Sequence, residues 1–219
     1  MRVHIFDSPE LEIARRHITE TEILDCVYGA FDEVRQSLPA INPYANISIR
    51  AVDKELCIPE THMAGTTYNG AYSELIFDKS VPGGPVEMLK SLRRLVFHES
   101  VHIAMFERDP WRPDVMYGVA TEGVATVFER EYAPWKPYWG EYEDDDTMRA
   151  WYEELKMLEE SNEKNGDYFF MHPDGRRWIV YKTGAWVVDK LVESGETIAG
   201  LTELKYTEIL DKFEAISSE

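Results

Sequence analysis

Two histidines four residues apart, His98 and His102, are where chemistry is first legible in this chain. On a helix that spacing turns both imidazoles to one face, where they can bind the same divalent ion. Glu99 follows the first histidine at the flank of that face. There it can reach a water on the ion without ligating it, as a general base must. With 6 His in 219 residues, a His-Glu-x-x-His run arises by chance roughly 0.02 times per chain. The chemistry expected of such a pair is metal-assisted hydrolysis, and the metal expected is zinc.

A zinc hydrolase needs a third protein ligand and one open position. Asp109-Pro110-Trp111-Arg112-Pro113 breaks the first helix and sends the chain back past it, and Glu122 follows 20 residues after His102. Its helix holds Gly118, Ala120, Gly123 and Ala125, small residues that allow close approach of another helix. Glu129 and Glu131 read as lying near the exposed end of that helix, so Glu122 is the better candidate.

The elements that must position these groups follow from periodicity. Leu89, Leu92, Val96 and Ile103 mark a helix over 86–107, started by the turn Pro82-Gly83-Gly84-Pro85, and a second helix is expected over 114–132. Upstream, Val3 to Phe6 reads as a strand, 19–38 as a helix ended by Pro39, and Ile47 to Val52 as a half-buried strand. Gly65 to Asp78 is extended, with Asn69-Gly70 suggesting a hairpin or a bulged edge. Downstream, Pro134 and Pro137 mark a loop that leads to the acidic run 141–146, read as a solvated loop and helix start. Helices are expected at 147–164, at 178–193, and from Thr202 to the end. Early strands followed by many helices predict one α+β domain over 1–219: a sheet-bearing part at 1–85, the metal-site helices at 86–132 and a helical part at 133–219. The sheet is expected to be small and mostly antiparallel.

Composition bounds the partners. A net charge of −18 disfavours nucleic acid and anionic membrane surfaces, since neither gains from meeting a polyanion. No stretch approaches the ~20 apolar residues of a membrane span, and the first residues turn acidic before a signal-like segment develops. Cys26 and Cys57 form no ligand cluster and no disulfide framework. The expectation is two buried thiols in a reducing, cytoplasmic setting.

The run His98-Glu99-Ser100-Val101-His102 followed by Thr121-Glu122-Gly123 resembles the gluzincin branch of zinc peptidases. With Phe97 before it and Val124-Ala125 after, it is similar to a bacterial family of predicted zinc-dependent proteases of unknown function. The likeness covers 95–129 and, more weakly, Tyr181 to Gly184. It departs at Thr126, where thermolysin-like enzymes carry an acidic residue that orients a histidine. The resemblance implies a zincin-like fold, zinc held by His98, His102 and Glu122, and Glu99 as base toward a peptide or protein substrate. It also implies an edge strand beside the motif helix that pairs with substrate, for which Tyr72 to Phe77 stands in the right place. Tyr181 is the favoured donor to the oxyanion, with His172, Arg176, Arg177 and Tyr168 as alternatives. A zincin-like module that binds without hydrolysing, and a zinc hydrolase of non-peptide amides, are the rival readings.

Overall fold

The computed structural model describes residues 1–133, 137–158 and 163–217. They form two compact units, Met1–Glu107 and Arg108–Glu219. The chain is α+β, with a four-stranded sheet in the first unit and a helical second unit.

The first unit runs β1 (Arg2–Ile5), α1 (Pro9–Ala14), α2 (Glu20–Ser37), β2 (Asn46–Val52), β3 (Met63–Asn69), β4 (Tyr72–Asp78) and α3 (Gly84–Phe106). The sheet order is β1-β2-β4-β3. β1 pairs with β2 and β2 with β4 in parallel, and only β3–β4 is antiparallel. The sheet is therefore mixed rather than mostly antiparallel. The helical crossover through α1 and α2 returns the chain to the end where β1 began, which makes β1 and β2 parallel neighbours. Alternating hydrophobicity reports which face of a strand is buried and carries no information on its direction.

One face of the sheet is apolar. Ile47 and Ile49 of β2 and Leu75 and Phe77 of β4 are each no more than 1% exposed, worth roughly 1.5–3 kcal/mol of burial apiece. The other face is polar, with the Ser48 and Tyr72 hydroxyls 2.9 Å apart and Arg50 paired to Glu74 at 2.8 Å. Thr19 caps α2 by a reciprocal bond pair with Glu22, whose carboxyl lies below its usual range because the Thr19 hydroxyl and backbone N–H both donate to it. In α3, Leu92, Val96 and Ile103 are buried as the helical spacing requires.

Asn69-Gly70 does turn a hairpin, with a bulge between Thr67 and Asn69. The edge strand of that hairpin is β3, not the segment Tyr72 to Phe77. β4 is central, flanked by β2 and β3. Its run of apolar residues serves burial between two neighbours, which is what a central strand needs.

The second unit holds α4 (Val115–Tyr132), α5 (Asp145–Lys156), α6 (Ile179–Glu193), α7 (Ile198–Leu201) and α8 (Tyr206–Ser217). The acidic run starts α5, with Asp144 accepting from the Thr147 N–H at 3.0 Å. α5 is shorter than the expected 147–164 helix. Its core stripe of Met148, Tyr152 and Leu155 ends there, and Met157 is exposed. Residues 159–162 of that expectation, and Pro134 of the expected loop, lie outside the described residues. Trp186 of α6 is buried against the Phe213 ring at 5.0 Å, and its indole N–H donates to Asp145 at 2.9 Å. Arg130 of α4 donates to both carboxylate oxygens of Asp189, which also accepts from the Tyr142 hydroxyl.

The small residues of α4 serve this helical packing. A β-carbon on Gly123 would stand 2.5 Å from the Gly184 carbonyl carbon of α6. One on Gly118 would stand 2.7 Å from the Phe169 ring. The stripe lets α4 meet α6. Among the described residues, no helix is long and apolar enough to cross a membrane.

Candidate metal centre

α3 carries His98, Glu99 and His102 without a break, and the i,i+4 spacing does what it must. The two Nε2 atoms converge to 3.3 Å, with the rings 66° to one another. Two imidazole nitrogens on one tetrahedral zinc, each about 2.0–2.1 Å from the ion, stand about 3.3–3.4 Å apart. The observed pair fits that spacing. His98 is buried and His102 half-buried. His98 and His102 each offer one ligand atom on α3, and Glu122 offers one on α4. A His/His/Glu group of this kind could hold a metal ion, and it is the only such group of His, Cys, Asp and Glu among the described residues.

Glu99 does not point away into solvent. It is 5% exposed, and its Oε2 accepts a hydrogen bond from the Thr67 hydroxyl of β3 at 2.7 Å. The Thr67 hydroxyl is in turn 2.7 Å from the hydroxyl of Ser73, its cross-strand partner on β4. Gly65, two residues before Thr67 and on the same face of β3, makes room for the carboxylate. A β-carbon there would stand 2.6 Å from Glu99 Cδ. Sequence reasoning missed Thr67, Ser73 and Gly65. The one available signal was the run of small and hydroxyl residues over 64–67, with Gly65 and Thr67 at i,i+2 on one face, and nothing local says which helix that face meets.

Glu122 lies in the middle of α4, half-buried. Near it on the same helix, the Tyr117 hydroxyl donates to the Asp109 carbonyl at 3.2 Å. Burial pushes the Tyr117 phenol up to about 12, with the Asp109 and Glu122 carboxylates adding to the rise. Tyr117 thus stays a neutral donor beside the Glu122 turn. Glu129 proves buried, at 3% exposure, rather than lying at an exposed helix end. Thr126, one turn after Glu122, is fully buried, and its hydroxyl has no hydrogen-bond partner among the described residues.

Comparison with known proteins finds no matching family model, no matching curated protein and no matching solved structure. The chemistry of the site therefore stands on its own residues.

Tyr181 opens α6 inside an aromatic cluster, its ring 5.6 Å from that of Trp178 and 6.3 Å from those of Trp139 and Phe169. The four alternatives to it have their own partners. Arg176 bridges Glu154 and Asp174, each at 2.7 Å, and both carboxylates hold its guanidinium pKa above the usual value. The Tyr168 hydroxyl donates to Glu154 at 3.2 Å. His172 Nδ1 lies 2.9 Å from Asp174. The Arg177 guanidinium lies over the Trp178 ring, 5.5 Å from its centre.

Proposed function

We propose that the chain is a zinc-dependent metallopeptidase with a zincin-like fold of the gluzincin type. The observation that carries this reading is the convergence of His98 and His102 Nε2 to 3.3 Å on a helix that also presents Glu99. Two neutral imidazoles and a carboxylate from Glu122 are the donor set zinc prefers, and they leave one position open. Zinc held there would acidify water toward a pKa of ~7 and polarise a substrate carbonyl.

Glu99 then takes the proton from the attacking water and hands it to the leaving amine nitrogen. Its burial keeps bulk water from competing for that proton. Tyr181 is our candidate for the additional donor to the developing oxyanion. An extended peptide would pair with the outer edge of β3, the strand that also holds Glu99, so that backbone bonds give affinity without reading side chains. The two free thiols fit a reducing compartment, and we place the enzyme in the cytoplasm.

Cleavage of a mixed peptide library by the wild type and by Glu99→Gln, with zinc content measured on both, tests the reading. The expected result is metal-dependent cleavage by the wild type, lost in a Glu99→Gln protein that still holds one zinc. Equal, metal-independent cleavage by both would overturn the mechanism. No cleavage by either, with zinc bound, would overturn the peptidase reading in favour of a module that only binds.

A further inference from the structure

The base of a hydrolase has to be aimed as well as present. Among the described residues the side-chain hydrogen bond to the Glu99 carboxylate comes from β3. The Thr67 hydroxyl has a single proton and three acceptors in reach: Glu99 Oε2 at 2.7 Å, the Glu99 carbonyl at 3.2 Å and Ser73 Oγ at 2.7 Å. An ionised carboxylate can only accept, and it is the strongest of the three acceptors, so the proton goes to Oε2. Ser73, fully buried, donates to Thr67 and fixes its rotamer. Glu99 Oε1 receives no hydrogen bond among the described residues and occupies the space that a side chain on Gly65 would fill.

We propose that Thr67 is the positioning residue for Glu99, backed by Ser73 and by the bare backbone of Gly65, tying Oε2 so that Oε1 is the oxygen that carries the proton. This rests on the reading of Glu99 as base. Thr67 is no metal ligand, and its effect is on aim rather than on loading. A misplacement of about 1 Å in a reacting group is enough to cost roughly 100-fold in rate.

The experiment compares Thr67→Val, which keeps the shape and removes the hydroxyl, with Thr67→Ser, which keeps the hydroxyl, using the best-cleaved library peptide. Zinc content should stay at one per chain in both. Thr67→Val should lower kcat roughly 10- to 100-fold with KM changed less than about twofold, and Thr67→Ser should keep kcat within about threefold of wild type. Wild-type kcat in zinc-loaded Thr67→Val would overturn the proposal. A second measurement needs no turnover: urea midpoints of the zinc-free protein for Thr67→Val, Glu99→Ala and the double variant. The midpoint shift from Thr67→Val should largely vanish once Glu99 is Ala. An equal shift in both backgrounds would show that the hydroxyl does not hold Glu99. If the wild type cleaves nothing, the peptidase reading fails, while the urea cycle still decides whether Thr67 and Glu99 are coupled.

Discussion

Gly123 of α4 and Gly184 of α6 meet backbone to backbone: a β-carbon built on either residue would stand 2.8 Å from the Cα of the other. Both helices are buried there and neither has a flexible side chain to move aside. Gly184→Ala should therefore destabilise the protein by about 1–3 kcal/mol, since the ~1 kcal/mol that alanine gains in helix propensity does not offset the overlap. Calorimetric or urea unfolding measures it. An unchanged or raised midpoint would show that the two helices can part without cost.

The histidine pair gives a metal prediction that does not require turnover. Purified protein stripped of metal should take up one zinc per chain, and its thermal midpoint should rise with added zinc. Zinc at a hundredfold excess over its Kd adds about 2.7 kcal/mol of stability. His102→Ala, half-buried and so mild in its packing cost, should lose both the stoichiometric zinc and the shift. Full zinc retention by that variant, measured by elemental analysis, would remove His102 from the ligand set. The same measurement on Glu122→Ala decides whether the third ligand is Glu122.

The two cysteines are free, and burial pushes the Cys57 thiol up to about 12 and the Cys26 thiol up to about 11. For Cys57 the nearby Asp78 carboxylate adds to the rise. Cys26 also spends its thiol proton on the Leu89 carbonyl, at 3.3 Å. Only the thiolate reacts, so at pH 8 neither should be alkylated in the native protein, and both should be once it is unfolded. Rapid alkylation of native protein, located by mass spectrometry, would contradict the packing around α2 or the loop at 57.

Asp174 gives the pH dependence. Its carboxyl is held at about 2, first by the Arg176 backbone N–H at 3.0 Å and further by bonds from His172 and the Arg176 side chain. An unfolded aspartate titrates near ~3.9. The fold thus favours the ionised form. That contribution is complete above ~4 and is lost as pH falls toward about 2. Asp174→Asn should leave a flatter stability curve between those limits, with little difference from wild type in its slope at neutral pH. Because the group is exposed, the effect should shrink in high salt. Parallel wild-type and variant curves through that acid window would rule it out.

What was legible in the sequence divides by distance along the chain. The His98-Glu99-x-x-His102 pair, the helix that carries it and the hairpin at Asn69-Gly70 all depend on residues within a few positions of one another, and each is where local spacing places it. Strand direction, the identity of the edge strand and the hold on Glu99 depend on partners far apart. Thr67 and Glu99 are separated by 32 residues, and no local pattern announces that bond. Gly123 shows the intermediate case. Its smallness was readable as close helix contact, but the partner it meets is α6, whose Gly184 carries the matching deficit.

The parallel pairing of β1 with β2 has a kinetic consequence. Arg2 finds its register against Asn46, whereas Asn69 and Tyr72 meet across a two-residue turn. Closing the short loop loses little chain entropy, and closing the long one loses more before any contact repays it. The β3–β4 hairpin, which places Thr67, is thus expected to form early in the sheet, and β1 to dock last. In hydrogen exchange the amides of β1 should open first. The strand that holds Glu99 would stay protected while the far edge of the same sheet is already fraying.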